Sequence, residues 1–205
     1  MNLVLFISYL LTVSAIIATP GPSTMLMVSH SINYGKGAVV LNAIGSAFAA
    51  IILIIIAIFL VDKTLPPEAV PILSIIGSLY LIYIGYNSLR NKDFDTEVIS
   101  KKTDNFFLQS FVTGISNPKD ILFFIVFLPQ FIDYAIDFKY AVVLLVIGWV
   151  FCDLFIMVCY GLLAANAGGT LSNNFISKTT KLMGFIIIFI GSTIGISSIY
   201  KVFFE

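Results

Sequence analysis

Charged residues are scarce in this sequence. Only 11% of its 205 residues are Asp, Glu, Lys or Arg, whereas 59% are hydrophobic. A soluble domain carries about a quarter charged residues, so there is too little polar surface here to cover a water-soluble globule. The formal net charge is zero, and the chain lacks the basic footprint of a nucleic-acid-binding protein. We therefore expect membrane lipid, and not nucleic acid, to surround most of the chain.

Histidine and cysteine are also rare, which limits redox, metal and catalytic chemistry. The chain has one histidine, His30, and two cysteines, Cys152 and Cys159. The cysteines are seven residues apart in one hydrophobic segment, so they do not form the C-x-x-C pattern of a redox protein. A thiol–disulfide carrier needs a cysteine in each half of the chain, and here both cysteines lie in the second half. This argues against a redox carrier. No G-x-S-x-G or H-E-x-x-H motif occurs, so we predict no enzyme, no cofactor and no metal site.

Long hydrophobic segments are abundant. A bilayer core about 30 Å thick needs about 20 apolar residues, and only helices satisfy their own backbone groups in lipid. The sequence therefore predicts an all-α integral membrane protein, a single transmembrane domain over 1–205, with six transmembrane helices. They cover residues 3–32, 38–61, 70–89, 106–131, 140–165 and 182–200.

The longest polar stretch divides the chain into two similar halves. Residues 90–105 separate repeat one, 1–89, from repeat two, 106–205. Three helices per half make the two copies opposite in orientation, so we expect inverted repeats. Lys and Arg collect in the loops 33–37, 90–105 and 166–181, which the positive-inside rule makes cytoplasmic. Both termini are then predicted to lie outside the cell.

Each half opens with a hydrophobic segment that is interrupted by proline. In the first break Pro20 and Pro22 lack amide donors, so the carbonyls of Ile16 and Ala18 lose their helical partners. Pro118 interrupts the fourth segment in the same way. Helices 1 and 4 are therefore predicted to be broken, and paired breaks in inverted halves point to a transporter's binding site.

The chemistry of the two breaks fits a zwitterion. The half-helix after the first break offers free amide groups and hydroxyls that suit a carboxylate. The second break offers released carbonyls and an acidic first turn that can receive an ammonium group. Asn42 in the second segment is a buried amide on a stripe of small residues beside the first break, and it is a further candidate for substrate contact. The predicted substrate-binding residues are Thr19, Pro20, Gly21, Pro22, Ser23, Thr24, Asn42, Asn117, Pro118 and Asp120.

Three ionisable residues lie inside hydrophobic segments: Lys119, Asp120 and Asp153. A charge in the bilayer centre costs at least about 2.5 kcal/mol, so each should face the bundle interior and have a partner. We predict that Lys119 pairs with Asp153, or that one carboxylate carries a coupling proton. A buried ion pair that only fixes the packing is the structural alternative.

Two other features have simpler explanations. Gly191 and Gly195 form a small-residue pattern typical of close helix packing, although such a face can also serve a dimer. His30 is predicted to lie at the cytoplasmic end of the first segment, with an interfacial role.

The motifs at both breaks resemble the lysine exporter (LysE/RhtB) family of amino-acid translocators, over essentially the whole chain. The first reads A-T-P-G-P-S at 18–23, followed by G-K-G at 35–37 and N-A-I-G at 42–45. The second reads N-P-K-D-I-L-F-F at 117–124 and ends in L-P-Q-F at 128–131. Asp153 also matches the family pattern, whereas Lys36 stands where Arg is common.

The resemblance implies secondary transport out of the cell across a bacterial-type inner membrane. Its usual cargo is amino acids or their derivatives, such as homoserine, threonine, leucine or lysine, and homodimers are expected. The buried carboxylates add coupling to proton influx. Export of a cadmium-like cation, found among relatives of this family, is the alternative, for which Cys152 and Cys159 near Asp153 are the only soft ligands.

Overall fold

The computed structural model describes the backbone of residues 2–64, 69–90, 105–132 and 136–204. Side chains are described for the same residues except 61–64, 69–70, 73, 167–176 and 204. These ranges contain helices and no strand, which confirms the all-α prediction. The helices are α1 (Leu3–Ala18), α2 (Pro22–Tyr34), α3 (Lys36–Thr64), α4 (Ala69–Arg90), α5 (Phe106–Ile115), α6 (Pro118–Leu122) and α7 (Phe138–Phe204).

Both predicted proline breaks are present. Between α1 and α2 the backbone is extended at Thr19 and Gly21, and α2 begins at Pro22. The axes of α1 and α2 differ by 56°. Between α5 and α6 the backbone is extended at Asn117, and the helical stretch Pro118–Phe131 is bent by 46° relative to α5. That stretch continues after α6 as a π turn and a short 3-10 helix.

Several of the helices are long and apolar enough to cross a membrane. Lys36–Leu60, Phe138–Asn166 and Ser177–Phe203 each qualify alone, and the two bent pairs raise the number of candidate spans to five within the described ranges. Helix α4, which covers the third predicted segment, is not among them. The count of six transmembrane helices therefore stays a prediction.

Helix α7 contains the fifth and sixth predicted segments in one run of helical backbone. Cys152 and Ile186 line the same cavity, although a straight helix would hold them about 50 Å apart. Phe138–Asn166 and Ser177–Phe203, here called the N-terminal and C-terminal arms of α7, therefore lie side by side. The connection predicted as a loop at 166–181 is helical instead, and it contains no proline that would force the helix to end.

Close contacts between glycines hold α4 against the C-terminal arm. A Cβ atom added to Gly85 would lie 2.6 Å from the carbonyl oxygen of Gly184. One added to Gly195 would lie 2.7 Å from the hydroxyl of Ser78, and Gly191 faces the same part of α4. The packing interpretation of Gly191 and Gly195 is thus confirmed, since their contacts lie within the chain.

A single residue joins α2 to α3. Gly35 has a φ of 73°, a left-handed conformation that glycine adopts without steric cost. Met27 packs with Ala43 in one buried cluster, and Nδ1 of His30 lies 3.0 Å from Oδ1 of Asn42. Because residues on either side of Gly35 pair in reverse order, α2 and α3 form an antiparallel hairpin.

Candidate functional site

The two breaks meet through the side chain of Lys119. Its ammonium donates hydrogen bonds to the carbonyl oxygens of Ile16, at 2.9 Å, and Thr19, at 2.8 Å. Pro20 has no amide to serve the Ile16 carbonyl, as the sequence predicted, so Lys119 supplies a donor from the second half of the chain. The ammonium passes over Gly21, where an added Cβ would lie 3.4 Å from it.

Tyr160 holds the other end of the first break. Its hydroxyl donates a 2.7 Å hydrogen bond to the carbonyl oxygen of Ala18, the acceptor that Pro22 leaves without a helical donor. Tyr160 lies on the N-terminal arm of α7. Sequence reasoning missed this residue; the only signal was a phenol in the middle of a hydrophobic segment, which needs a hydrogen-bond partner when buried.

Asn117 organises the second break and contacts the first. Its Oδ1 accepts a hydrogen bond from the amide of Lys119 at 3.2 Å, which is the predicted helix cap. Its Nδ2 donates to Oδ2 of Asp120 at 2.8 Å and to Oγ of Ser23 at 3.4 Å. The amide of Asn117 therefore connects a carboxylate in the first turn of α6 to the first turn of α2.

The N-terminus of α2 has no side-chain cap. The amide of Met25 is bonded to the carbonyl of Gly21 at 2.9 Å, so the amides of Ser23 and Thr24 precede the first helical hydrogen bond. Thr24 is buried, and its hydroxyl oxygen has no hydrogen-bond partner among the described residues. This end of α2 carries the positive end of the helix dipole, which favours a negative group.

Asp153 is buried on the N-terminal arm of α7, opposite α3. Its Oδ1 accepts a 3.4 Å hydrogen bond from Ser46, while Oδ2 has no partner among the described residues. The predicted pair between Lys119 and Asp153 is therefore not formed. The carbonyls of Ile16 and Thr19 hold the ammonium instead. The charges of Lys119, Asp120 and Asp153 still lie close enough to interact.

Asn42 is buried, and its side chain is already bonded within the chain. Its Nδ2 donates to the carbonyl of Ala38 at 2.7 Å, and its Oδ1 faces His30. His30 is buried too, with its ring 5.1 Å from that of Phe106. It lies four residues before the end of α2, and its predicted interfacial role stays a prediction.

An apolar cavity of about 610 Å³ borders the first break. It opens between α1 and both arms of α7, and Ser14 donates a hydrogen bond to the Cys152 sulfur in it at 3.5 Å. Cys159 is exposed, so the two thiols do not converge with Asp153. Across the described parts of the chain no three His, Cys, Asp or Glu side chains gather. The cavity is lined by Leu11, Ser14, Ala15, Ala18, Phe151, Cys152, Phe155, Ile156, Met183, Ile186, Phe189 and Ile190.

Membrane-length apolar helices and a charged cluster at two helix breaks are typical of membrane proteins that translocate small solutes. The family model for the LysE type translocator matches residues 14–198. The chain therefore belongs to the LysE type translocator family, which confirms the resemblance seen in the motifs.

Individual relatives agree with this assignment. The chain is 28% identical to an uncharacterized membrane protein of Vibrio cholerae over 193 residues, which is 90% of this chain and 93% of the relative. It is 27% identical to a leucine efflux protein of Klebsiella pneumoniae, over 62% of this chain and 63% of the relative. For a leucine efflux protein of Salmonella choleraesuis the identity is 29%, over 62% of each chain. No solved structure matches the chain.

Proposed function

We propose that this protein exports amino acids or their close derivatives across the cytoplasmic membrane and that proton influx drives the export. One observation carries the proposal: the ammonium of Lys119, in the second break, is bonded to the carbonyls of the first break. This contact joins two broken helices around a buried polar cluster, the arrangement in which secondary transporters bind small solutes.

The chemistry of the cluster supports a zwitterionic cargo. The uncapped first turn of α2, with the backbone amides of Ser23 and Thr24, offers donors and a positive dipole end to a carboxylate. Asp153 offers an acceptor to an ammonium group and a site for the coupling proton. Since two relatives are named leucine efflux proteins, leucine is the first solute to test, followed by threonine, homoserine and lysine.

The proposed architecture is six transmembrane helices in two inverted repeats, 1–89 and 106–205, with α4 as the third span. The matched bent pairs, α1 with α2 and α5 with α6, support this assignment. Both termini are placed outside and the loops 33–37, 90–105 and 166–181 inside. Most of the middle loop, 91–104, lies outside the described residues. Homodimers are part of the same proposal.

Export is tested in cells that take up dipeptides and accumulate single amino acids to toxic levels. Expression should protect the cells from at least one amino acid, and that amino acid should appear in the medium. The Asp153→Asn variant should abolish protection. Asp137→Asn makes the same chemical change at an exposed carboxylate outside the cluster and should keep it. If no amino acid accumulates outside, the amino-acid proposal fails.

Proton coupling is tested with inside-out membrane vesicles, in which export appears as uptake. Uptake of the amino acid should rise when the vesicle interior is made acidic and fall when an uncoupler collapses the gradient. Uptake that does not respond to the gradient would exclude proton coupling while leaving amino-acid export intact.

A further inference from the structure

Most acceptors at the two breaks are already occupied by the protein's own donors. Lys119 holds the carbonyls of Ile16 and Thr19, Tyr160 holds that of Ala18, and Asn117 is bonded to the carboxylate of Asp120. An ammonium group that enters the cluster therefore needs another acceptor.

Two polar atoms of the cluster remain without partners among the described residues: Oδ2 of Asp153 and Oγ1 of Thr24. The exposed fraction is 3% for Asp153 and 1% for Thr24, so bulk water does not cover either residue. A buried acceptor without a donor is destabilising by about 1–3 kcal/mol, and more if it is charged. Both atoms are thus suited to a donor that the chain itself does not provide.

The hairpin register brings these two residues to the same level. Thr24 and Ser46 each lie 11 residues from Gly35, so the register puts them at the same level of the antiparallel pair of α2 and α3. Ser46 in turn is bonded to Asp153. Met27, Ala43 and Met157 pack in one buried cluster. Thr24, Ser46 and Asp153 each lie about one helical turn from one of them, on the same side of the cluster.

The charges point to a cation. With all groups ionised, the cluster has the positive Lys119 and the negative Asp120 and Asp153, so it lacks one positive charge. Lys119 directs its hydrogen bonds to neutral carbonyls and leaves Asp153 without a direct counter-ion. The side chains that face Asp153 are Ser46 from α3 and, at longer range, Lys119 and Asp120.

We propose that the ammonium of the transported amino acid binds between the carboxylate of Asp153 and the hydroxyl of Thr24, and that a proton occupies the same carboxylate when the solute is absent. This inference rests on the proposed function. When the solute binds, the Asp153 carboxyl group gives its proton to water, and the resulting carboxylate pairs with the ammonium. Since the two cations exclude each other, one site exchanges proton for solute.

The first test compares three compounds that share one branched five-carbon chain: leucine, isopentylamine, which lacks the carboxylate, and isocaproate, which lacks the amine. Binding is measured on the purified full chain in lipid nanodiscs. Isopentylamine should compete with leucine on the wild type. Asp153→Asn should weaken leucine and isopentylamine by about tenfold or more, the loss expected for a charge-assisted hydrogen bond, and should leave isocaproate unchanged. Asp137→Asn is the matched control.

The second test measures protons in weakly buffered solution. Leucine binding should release up to one proton per chain from the wild type and none from Asp153→Asn.

If Asp153→Asn does not give a monodisperse protein, the binding test is made with Thr24→Val instead. Thr193→Val, at an exposed threonine of α7, is its control. Thr24→Val should weaken isopentylamine severalfold and spare isocaproate.

Failure takes two distinguishable forms. If leucine binds and isopentylamine does not compete, or if both Asp153→Asn and Thr24→Val bind leucine normally, the ammonium site is elsewhere and only this inference falls. If neither leucine nor any other amino acid binds to the wild type, the proposed function falls and takes the inference with it.

Discussion

The ammonium nitrogen of Lys119 lies 2.8 Å from the carbonyl oxygen of Thr19, although the two residues are 100 positions apart in the chain. Thr19 is the last residue before the Pro-Gly-Pro break, so the donor that completes the first broken helix comes from the second. This contact joins the two halves of the protein at their breaks, where the proline residues remove helical backbone hydrogen bonds. Four predictions on the stability and activity of the chain follow from its contacts.

Replacement of Lys119 by methionine should destabilise the protein. The apolar side chain keeps most of the volume but leaves the Thr19 carbonyl without its donor, at about 1–3 kcal/mol. The Ile16 carbonyl keeps only the amide of Thr19, at 3.2 Å. Thermal unfolding in detergent should therefore begin several degrees lower, and export should be lost. Lys139→Met changes an exposed lysine and should alter neither. An unchanged unfolding temperature for Lys119→Met would mean that the contact contributes nothing to the fold.

Tyr160→Phe should have a smaller effect than the change at Lys119. It removes one hydroxyl, and with it the bond to the Ala18 carbonyl, while the ring still packs against Val28 and Ala164. The expected loss is about 1 kcal/mol of stability, measured by chemical unfolding in detergent. Tyr140→Phe, at an exposed tyrosine of the same helix, is the control. Equal unfolding curves for the two variants would contradict the assigned role.

Asn117→Asp should abolish export, whereas Asn105→Asp should be tolerated. Both asparagines cap a helix with Oδ1, Asn105 at α5 and Asn117 at α6, and aspartate caps equally well. At position 117, however, the change removes the Nδ2 donor to Asp120 and puts two carboxylates side by side. The efflux assay on both variants, with their expression levels compared, tests this difference. Normal export by Asn117→Asp would show that the Nδ2 contacts are dispensable.

Gly85→Ala should separate α4 from the C-terminal arm of α7. The new methyl group would lie 2.6 Å from both the Gly184 carbonyl oxygen and Cγ1 of Ile188, so the helices must move apart, at about 1–3 kcal/mol. Gly37→Ala is the matched change, because nothing lies within 4 Å of its Cβ position, and it should stabilise α3 by up to about 1 kcal/mol. Thermal unfolding of both variants should shift in opposite directions; a shift in the same direction would contradict the contact.

The breaks could be predicted from the sequence because their causes are local. Proline lacks an amide and fixes its own φ, so the helices before Pro20 and Pro118 end, and Pro22 and Pro118 begin the next ones. The cap by Asn117 and the released carbonyls of Ile16 and Ala18 follow from the same local rules. The apolar segments predicted helices for the same reason, since lipid leaves the backbone no other partner.

The partners across the bundle could not be predicted, since they depend on which helices become neighbours. Opposite charges predict a pair between Lys119 and Asp153, yet the carbonyls of Ile16 and Thr19 take the ammonium. The buried amide of Asn42 predicts a need for partners, and the hairpin supplies His30; its contact with substrate stays a prediction. In each case the residue type indicated a need for hydrogen bonds, and only the tertiary arrangement determined which atoms met it.

The single-residue link at Gly35 limits how such a molecule can rearrange. Because one residue joins them, α2 and α3 have little freedom to move relative to each other, and we expect them to move as a unit. Residues 19–21, between α1 and α2, are not helical, so a rotation of α2 relative to α1 would be accommodated there and would carry α3 with it.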